Sequence, residues 1–213
     1  MYKFKPEMLN LYLVGGSQNV AGNQIRFLEI LEQACQLGIT AFQYREKDGS
    51  TLSKEEKINL GHQVRKITQQ YQIPLIVDDD WQLAQKIGAD GLHLGQSDVP
   101  LMDILPEVSN LILGLSVHDQ QELPATDLLN QLDYLGVGPV YSTRSKTKIK
   151  TPIGLDGLKN VVQLTDKPIV AIGGIHPDNA CAIRTTGVDG LAVISAIFNS
   201  SQLTQDISKL KES

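Results

Sequence analysis

The chain has 213 residues, 41% of them hydrophobic and 20% charged, with a formal net charge of −5. That is enough chain to bury a sizeable core in one domain of ordinary size. The acidic balance argues against a nucleic-acid surface, so a bound polyanion must be held by local basic residues.

No run of 18 apolar residues is present and residues 1–10 lack an apolar signal segment, so we expect a cytoplasmic protein without a membrane span. Cys35 and Cys181 both fall in helix-like stretches and are expected to be buried thiols in a reducing compartment. No Cys/His spacing suggests zinc.

Short β-rich runs at 11–14, 40–44, 74–77, 91–94, 111–116, 134–137, 168–172 and 190–194 predict eight strands. Helical spacing lies between them. Ile25, Leu28, Leu31 and Cys35 make one stripe, Leu60, Val64, Ile67 and Tyr71 a second, and Leu128, Leu129 and Leu132 a third. Gly38, Gly88 and Gly187 occupy expected helix C-terminal positions. Ser53 with Glu56 forms an expected capping box. Strand and helix alternating eight times predict a single (β/α)8 TIM barrel over residues 1–213, at the short end for that fold. An open doubly wound sheet is the weaker alternative, because no Gly-x-Gly-x-x-Gly follows the first strand. Asp90, Asp133 and Asp189 each precede a strand. That places them at the bottom of the barrel, where a structural role is expected.

Chemistry should collect after each strand. Gln43, Arg45 and Lys47 alternate onto one face after the second strand, where two cations suit a phosphate or pyrophosphate. Asp78, Asp79 and Asp80 follow the third strand, and Gln96, Ser97 and Asp98 the fourth. Clustered carboxylates need a cation, and an oxygen-rich set suits Mg2+, although helix capping by Asp79, Asp80 or Asp98 competes with that reading. Ser116 and His118 follow the fifth strand. Thr143, Arg144, Ser145 and Lys146, extended by Lys148 and Lys150, follow the sixth in loop 142–152. Gly173 and Gly174 follow the seventh strand and Ser195 the eighth, where barrels often bind phosphate through the main chain. Two anion sites on one mouth fit two phosphorylated small molecules, or one molecule with a phosphate at each end. His93 is expected to be packed in the structure, and Trp81 and Tyr44 to be core or wall residues. No Ser/His/Asp or Cys/His set stands out.

Segments 43–47 (QYREK), 88–96 (GADGLHLGQ) with Asp98, 136–139 (GVGP) with Thr143 and Lys146, and 171–175 (AIGGI) occur in barrel order. In this combination the chain, from residue 11 to 197, resembles the thiamine-phosphate synthase family. The resemblance implies a cytoplasmic transferase of thiamine biosynthesis. Such an enzyme joins an aminopyrimidine methyl pyrophosphate to a thiazole phosphate with Mg2+ and releases pyrophosphate. It implies that Gln43, Arg45, Lys47 and Lys146 grip the pyrophosphate and that Asp79 and Asp98 bind Mg2+. It further implies that Ser116 sits near the pyrimidine, that Thr143 and Ser145 line the thiazole side, and that Gly174, Ile194 and Ser195 hold the thiazole phosphate. Arg45, Lys47, Ser116 and Lys146 would be the catalytic set. Three positions depart from the family pattern. Asp78 stands where the family usually has Asn and, when ionised, cannot donate a hydrogen bond to phosphate. Ser142 and Ser145 replace a usual Pro and Thr.

The competing reading is a thiazole tautomerase-like isomerase of the same fold with His118 as acid/base. It has no obvious use for Asp79 and Asp98 with Lys146. A non-catalytic thiamine-binding barrel or a phosphosugar isomerase accounts for less of the pattern. The sequence is compatible with a homo-oligomer and with no nucleic-acid or membrane partner.

Overall fold

A computed structural model describes residues 2–47, 49–143 and 150–212. Eight parallel strands close into a barrel in sequence order, β1 pairing with β8. They are β1 (Leu11–Gly15), β2 (Ala41–Tyr44), β3 (Leu75–Asp78), β4 (Gly91–Leu94), β5 (Ile112–Val117), β6 (Tyr134–Val137), β7 (Ile169–Ile172) and β8 (Gly190–Val193). The eight expected strands are all present, with ends shifted by a residue or less. The crossover helices are α1 (Gln24–Leu37), α2 (Lys54–Gln70), α3 (Trp81–Ile87), α4 (Leu101–Val108), α5 (Thr126–Gln131), α6 (Gly154–Val162), α7 (Ala180–Arg184) and α8 (Ser195–Phe198), followed by α9 (Leu203–Glu212).

Strand alternation divides the buried residues into two sets. Leu11, Leu13, Phe42, Leu75, Val77, Leu92, Leu113, Leu135, Ile169 and Leu191 face outward and pack under the helices. Tyr12, Val14, Ala41, Ile76, Ile112, Tyr134, Val170 and Ala192 face inward and fill the barrel. The N-terminal segment closes the floor. Phe4 stacks on Tyr134 at 5.9 Å between ring centroids, and Leu9 is buried beside it.

The helix ends follow the chemistry of their residues. Gly38, Gly88 and Gly187 have φ of 90°, 65° and 91°, the left-handed conformation that a side chain disfavours. Ser53 and Glu56 form the reciprocal capping box of α2. These hydrogen bonds hold the Glu56 carboxyl below its usual range.

The helix stripes need correction. In α1 the buried face is Phe27, Ile30, Leu31, Ala34 and Cys35, while Ile25 in the first turn is 73% exposed. A 3.6-residue repeat fits several stripes of an apolar helix, and packing on Phe42 and Phe198 selects the one containing Phe27. In α2, Leu60 and Val64 are buried but Ile67 and Tyr71 only partly. Of the third stripe, Leu132 at the end of α5 is buried, whereas Leu128 and Leu129 are only partly so. Cys35 is buried as expected, and burial pushes its thiol up to about 12. Cys181 is exposed, against expectation, because α7 turns that side to solvent.

The acids before strands have one shared function. The Leu75 amide donates to Asp90 Oδ2 at 3.0 Å, the Leu113 amide to Asp133 Oδ2 at 2.8 Å, and the Ile169 amide to Asp189 Oδ2 at 2.7 Å. Thr40 completes the series, its Oγ1 accepting from the Leu11 amide at 2.8 Å. A residue before each even strand thus satisfies an amide at the start of the preceding odd strand.

Candidate active site

The C-terminal ends of the strands surround a cavity of about 710 Å³. Its wall includes Arg45, Lys47, Asp78, Asp79, Asp98, Ser116, His118, Thr143, Gly174, Ile194 and Ser195, so nearly every expected site residue that the structure describes is in one place. Gln43 lies one layer deeper, bordering a chamber of about 20 Å³ beneath the main cavity. Ser145 and Lys146, with their neighbours Arg144 and Lys148, lie outside the described residues.

The β2–β4 side carries the charge. Arg45 Nε is 3.1 Å from Asp78 Oδ2, and both side chains are about nine-tenths buried. Lys47 Nζ pairs with Asp79 and lies 3.4 Å from Asp98 Oδ1. Asp98 Oδ2 accepts the Gly95 amide at 2.6 Å, which fixes the carboxylate over the end of β4. The two cations that suit a phosphate or pyrophosphate are therefore not waiting for an external anion to neutralise them. Each cation already has a carboxylate partner, because adjacent strands place the β3 and β4 acids beside the β2 bases. Arg45 also offsets the charge of Asp78, the position that departs from the family pattern.

The capping alternative holds for one acid. Asp80 Oδ1 accepts the Leu83 amide at 2.9 Å as the N-cap of α3. Asp98 is not the cap of α4, whose N-cap is Pro100. Asp79 has φ of 61°, a conformation that a side chain disfavours, and its carboxylate points to Lys47.

Among the described residues, no cluster of three or more His, Cys, Asp and Glu side chains could hold a metal. The donor set present is the pair Asp79 and Asp98, which share the Lys47 ammonium as they would share another cation. Two carboxylates at one point suit Mg2+, which commonly takes one or two from the protein and completes its shell with water and substrate phosphate oxygens. By that test the residues fit the ion.

The β7–β8 side is main chain. Gly173 and Gly174 have φ of 101° and 66°. A Cβ on Gly173 would lie 2.5 Å from Pro139, and one on Gly174 2.6 Å from Tyr141 Cβ, so both positions require glycine. With Ile194 and Ser195 they form a wall without a charged side chain, opposite the ion pairs.

Ser116 Oγ lies at the cavity base, 2.9 Å from His93 Nε2. His93 is buried as expected, but it is also tied to this polar centre. His118 donates from Nδ1 to the Gly138 carbonyl at 3.2 Å, and its main-chain amide donates to Glu122 Oε2 at 2.8 Å. Lys150 pairs with the other oxygen of Glu122, joining the far end of the sixth loop to the fifth. Tyr44 is a core residue, as expected, and Trp81 packs partly buried against the same core.

Sequence reasoning missed Glu46, Tyr12 and Tyr134. Glu46 is buried, and one of its oxygens accepts the Ser17 amide at 2.6 Å. The other accepts the Ser17 hydroxyl at 3.0 Å and the Ser50 hydroxyl at 2.5 Å. It is a pin between the first and second loops. Tyr12 and Tyr134 meet inside the barrel, their hydroxyls 2.9 Å apart. Desolvation pushes both phenols well above the usual value of 10.0. Strand alternation was the available signal for the tyrosines, since both occupy inward positions.

A sequence model described as thiamine monophosphate synthase matches residues 11–197. The chain belongs to that family. The thiamine-phosphate synthase of Limosilactobacillus reuteri is 43% identical over 209 residues, covering 98% of this chain and 97% of that protein. The thiamine-phosphate synthase of Leuconostoc citreum is 45% identical over 204 residues, covering 96% of each. Among solved structures, a thiamine phosphate pyrophosphorylase from Pyrococcus furiosus superposes with a TM-score of 0.83 at 33% identity, covering 97% of this chain and 96% of that one. The thiamine monophosphate synthase family thus accounts for the whole barrel as well as for the motifs at its mouth. Among the described residues, no helix is long and apolar enough to cross a membrane.

Proposed function

We infer that this barrel is a transferase of thiamine biosynthesis, joining the aminopyrimidine methyl pyrophosphate to the thiazole phosphate to give thiamine phosphate and pyrophosphate. The observation that carries the reading is one cavity with two unlike walls, one of paired charges and one of main chain. The β2–β4 wall holds Arg45, Lys47, Asp79 and Asp98, and the β7–β8 wall offers the main chain around Gly174 and Ser195. A pyrophosphate fits the first and a monophosphate the second, with the two rings between them.

In the reaction, the bond from the pyrimidine methylene carbon to the pyrophosphate oxygen breaks. The electron pair leaves with pyrophosphate. The thiazole nitrogen lone pair then forms the new bond to that carbon. The electron-rich aminopyrimidine stabilises the cation between the two events, so no protein nucleophile is required. Arg45 and Lys47, with Lys146 from the sixth loop, stabilise the charge that grows on the leaving group. Arg45 enters this task aligned by Asp78, whereas Gln43, expected to grip the pyrophosphate, lies below the main cavity with its amide nitrogen bonded to the Tyr12 hydroxyl. Mg2+ bound by Asp79 and Asp98 would supply further neutralisation of the pyrophosphate. Lys47, part-exposed between the two carboxylates, is within reach of an anion in the cavity. Ser116 is assigned to the pyrimidine, Thr143 and Ser145 to the thiazole, and Gly174, Ile194 and Ser195 to the thiazole phosphate. Holding both rings in line supplies much of the remaining rate enhancement. We assign the whole of residues 1–213 to this one functional domain.

The test is direct. Purified protein is mixed with the two substrates and Mg2+, and thiamine phosphate and pyrophosphate are followed together. Equal, Mg2+-dependent release of both is expected. Folded protein that forms neither at any Mg2+ concentration overturns the reading.

A further inference from the structure

Below the cavity a single file of hydrogen bonds crosses the barrel. Gln43 Nε2 donates to the Tyr12 hydroxyl at 3.0 Å, which lies 2.9 Å from the Tyr134 hydroxyl. Tyr134 Oη is 3.0 Å from His93 Nδ1, and His93 Nε2 is 2.9 Å from Ser116 Oγ. The file is built into the strands that surround it. A Cβ on Gly114 would lie 2.3 Å from Tyr134 Cζ and 2.5 Å from His93 Nδ1, and one on Gly136 would lie 3.0 Å from His93 Cε1. Glycine on β5 and β6 is what lets the tyrosine and the imidazole meet.

When every member both accepts and donates along it, such a file has two polarities, because each hydroxyl has one proton and a neutral imidazole carries one N–H. With the Gln43 amide nitrogen donating, Tyr12 accepts and passes its own proton toward Tyr134. Tyr134 in turn donates to His93 Nδ1. That leaves the imidazole N–H on Nε2, which donates to Ser116 Oγ. The hydroxyl hydrogen of Ser116 is then directed into the cavity. In the opposite polarity, with Gln43 accepting, His93 Nε2 takes the proton of Ser116, and the serine shows only lone pairs. Burial keeps both phenols neutral, so the file does not lose protons at ordinary pH.

We propose that Gln43, acting through Tyr12, Tyr134 and His93, sets Ser116 as a hydrogen-bond donor toward a ring-nitrogen acceptor in the cavity. Tyr134 and His93 are positioning residues, and Ser116 is the group that touches the ligand. The proposal deepens the synthase reading, because it takes the aminopyrimidine as that ligand.

The first test needs no substrate. The ring 15N shifts of His93 in the resting protein report which nitrogen carries the proton. Nε2–H is expected in the unaltered chain. Gln43→Glu puts an acceptor at the head of the file, so His93 should switch to Nδ1–H. Adding Tyr134→Phe to that variant breaks the file and should return His93 to Nε2–H. Nδ1–H in the unaltered chain, or no switch in folded Gln43→Glu, overturns the proposal. Kinetics give the second test. Tyr134→Phe should lower kcat about tenfold, the scale of one misdirected hydrogen bond, with KM for the thiazole phosphate unchanged. In a Ser116→Ala background the same change should have no further effect on kcat. An equal loss in both backgrounds means that Tyr134 acts on packing alone and overturns the relay. If the protein makes no thiamine phosphate, the synthase reading fails, while the 15N result still decides the polarity of the file.

Discussion

The two ends of the barrel use the same residue type for opposite purposes. At the floor, Asp90, Asp133 and Asp189 each accept a main-chain amide at the start of a strand. At the mouth, Asp78, Asp79 and Asp98 pair with the side chains of Arg45 and Lys47. A main-chain partner is fixed by the fold, so a floor aspartate keeps that partner whatever binds at the mouth. A lysine on a flexible stem can exchange partners, so a mouth aspartate can release its cation when a ligand or metal arrives. The floor acids hold the barrel in register and the mouth acids hold charge in reserve.

This contrast can be broken by substitution. The largest effect is expected from Lys47→Ala, which should cut kcat/KM by about a thousandfold through lost charge stabilisation on the leaving group. Its melting temperature should stay close to that of the parent, because Lys47 is partly exposed. A similar fall in stability and activity would put Lys47 in the same structural class as the floor residues.

Asp90→Ala should do the reverse. Asp90 is fully buried, accepts the Leu75 amide, and pairs with Arg65 at 2.5 and 3.1 Å. Its removal should cost about 3 kcal/mol in urea unfolding, typical of a buried pair left half made. Activity per folded molecule should be kept. A large kcat change in the folded variant would show that floor and mouth are coupled.

Between the ends, the neutral tyrosines predict a loss of stability in alkali. An unfolded phenol ionises near 10.0, whereas Tyr12 and Tyr134 in the folded barrel hold their protons to higher pH. Above pH 10 the unfolded chain therefore loses protons that the folded chain keeps, and stability falls. Urea midpoints at pH 9 and pH 11 should show this fall, with a shallower one for the Tyr12→Phe, Tyr134→Phe double variant. An unchanged slope in the double variant would assign the alkaline loss to other groups.

The smallest effect belongs to Asp189→Asn. The amide oxygen can still accept from the Ile169 amide, so a change of only about 0.5 kcal/mol is expected, against about 2 kcal/mol for Asp189→Ala. Equal losses for the two variants, measured by the same unfolding curves, would mean that the charge and not the acceptor matters at the floor.

Much of this was legible in the chain. The eight apolar runs gave eight strands, because a strand buried on both faces needs continuous apolar residues. The C-terminal glycines and the Ser53–Glu56 box followed from local conformational rules. The mouth residues were legible because barrel topology puts whatever follows each strand at one end. Glu46 was missed, since its partners Ser17 and Ser50 meet only when the first and second loops are folded together. The face of α1 was misjudged because its apolar residues allow more than one stripe until Phe42 and Phe198 are in place.

The sequence by itself determined the architecture, the end of the barrel that carries the chemistry, and the residue types available there, since periodicity and order along the chain encode all three. Only the tertiary structure decided which charges neutralise which, and that Tyr12, Tyr134, His93 and Ser116 form one file. Those pairings join strands up to 122 residues apart, as with the two tyrosines, and distance along the chain says nothing about which side chains closure of the barrel will bring face to face.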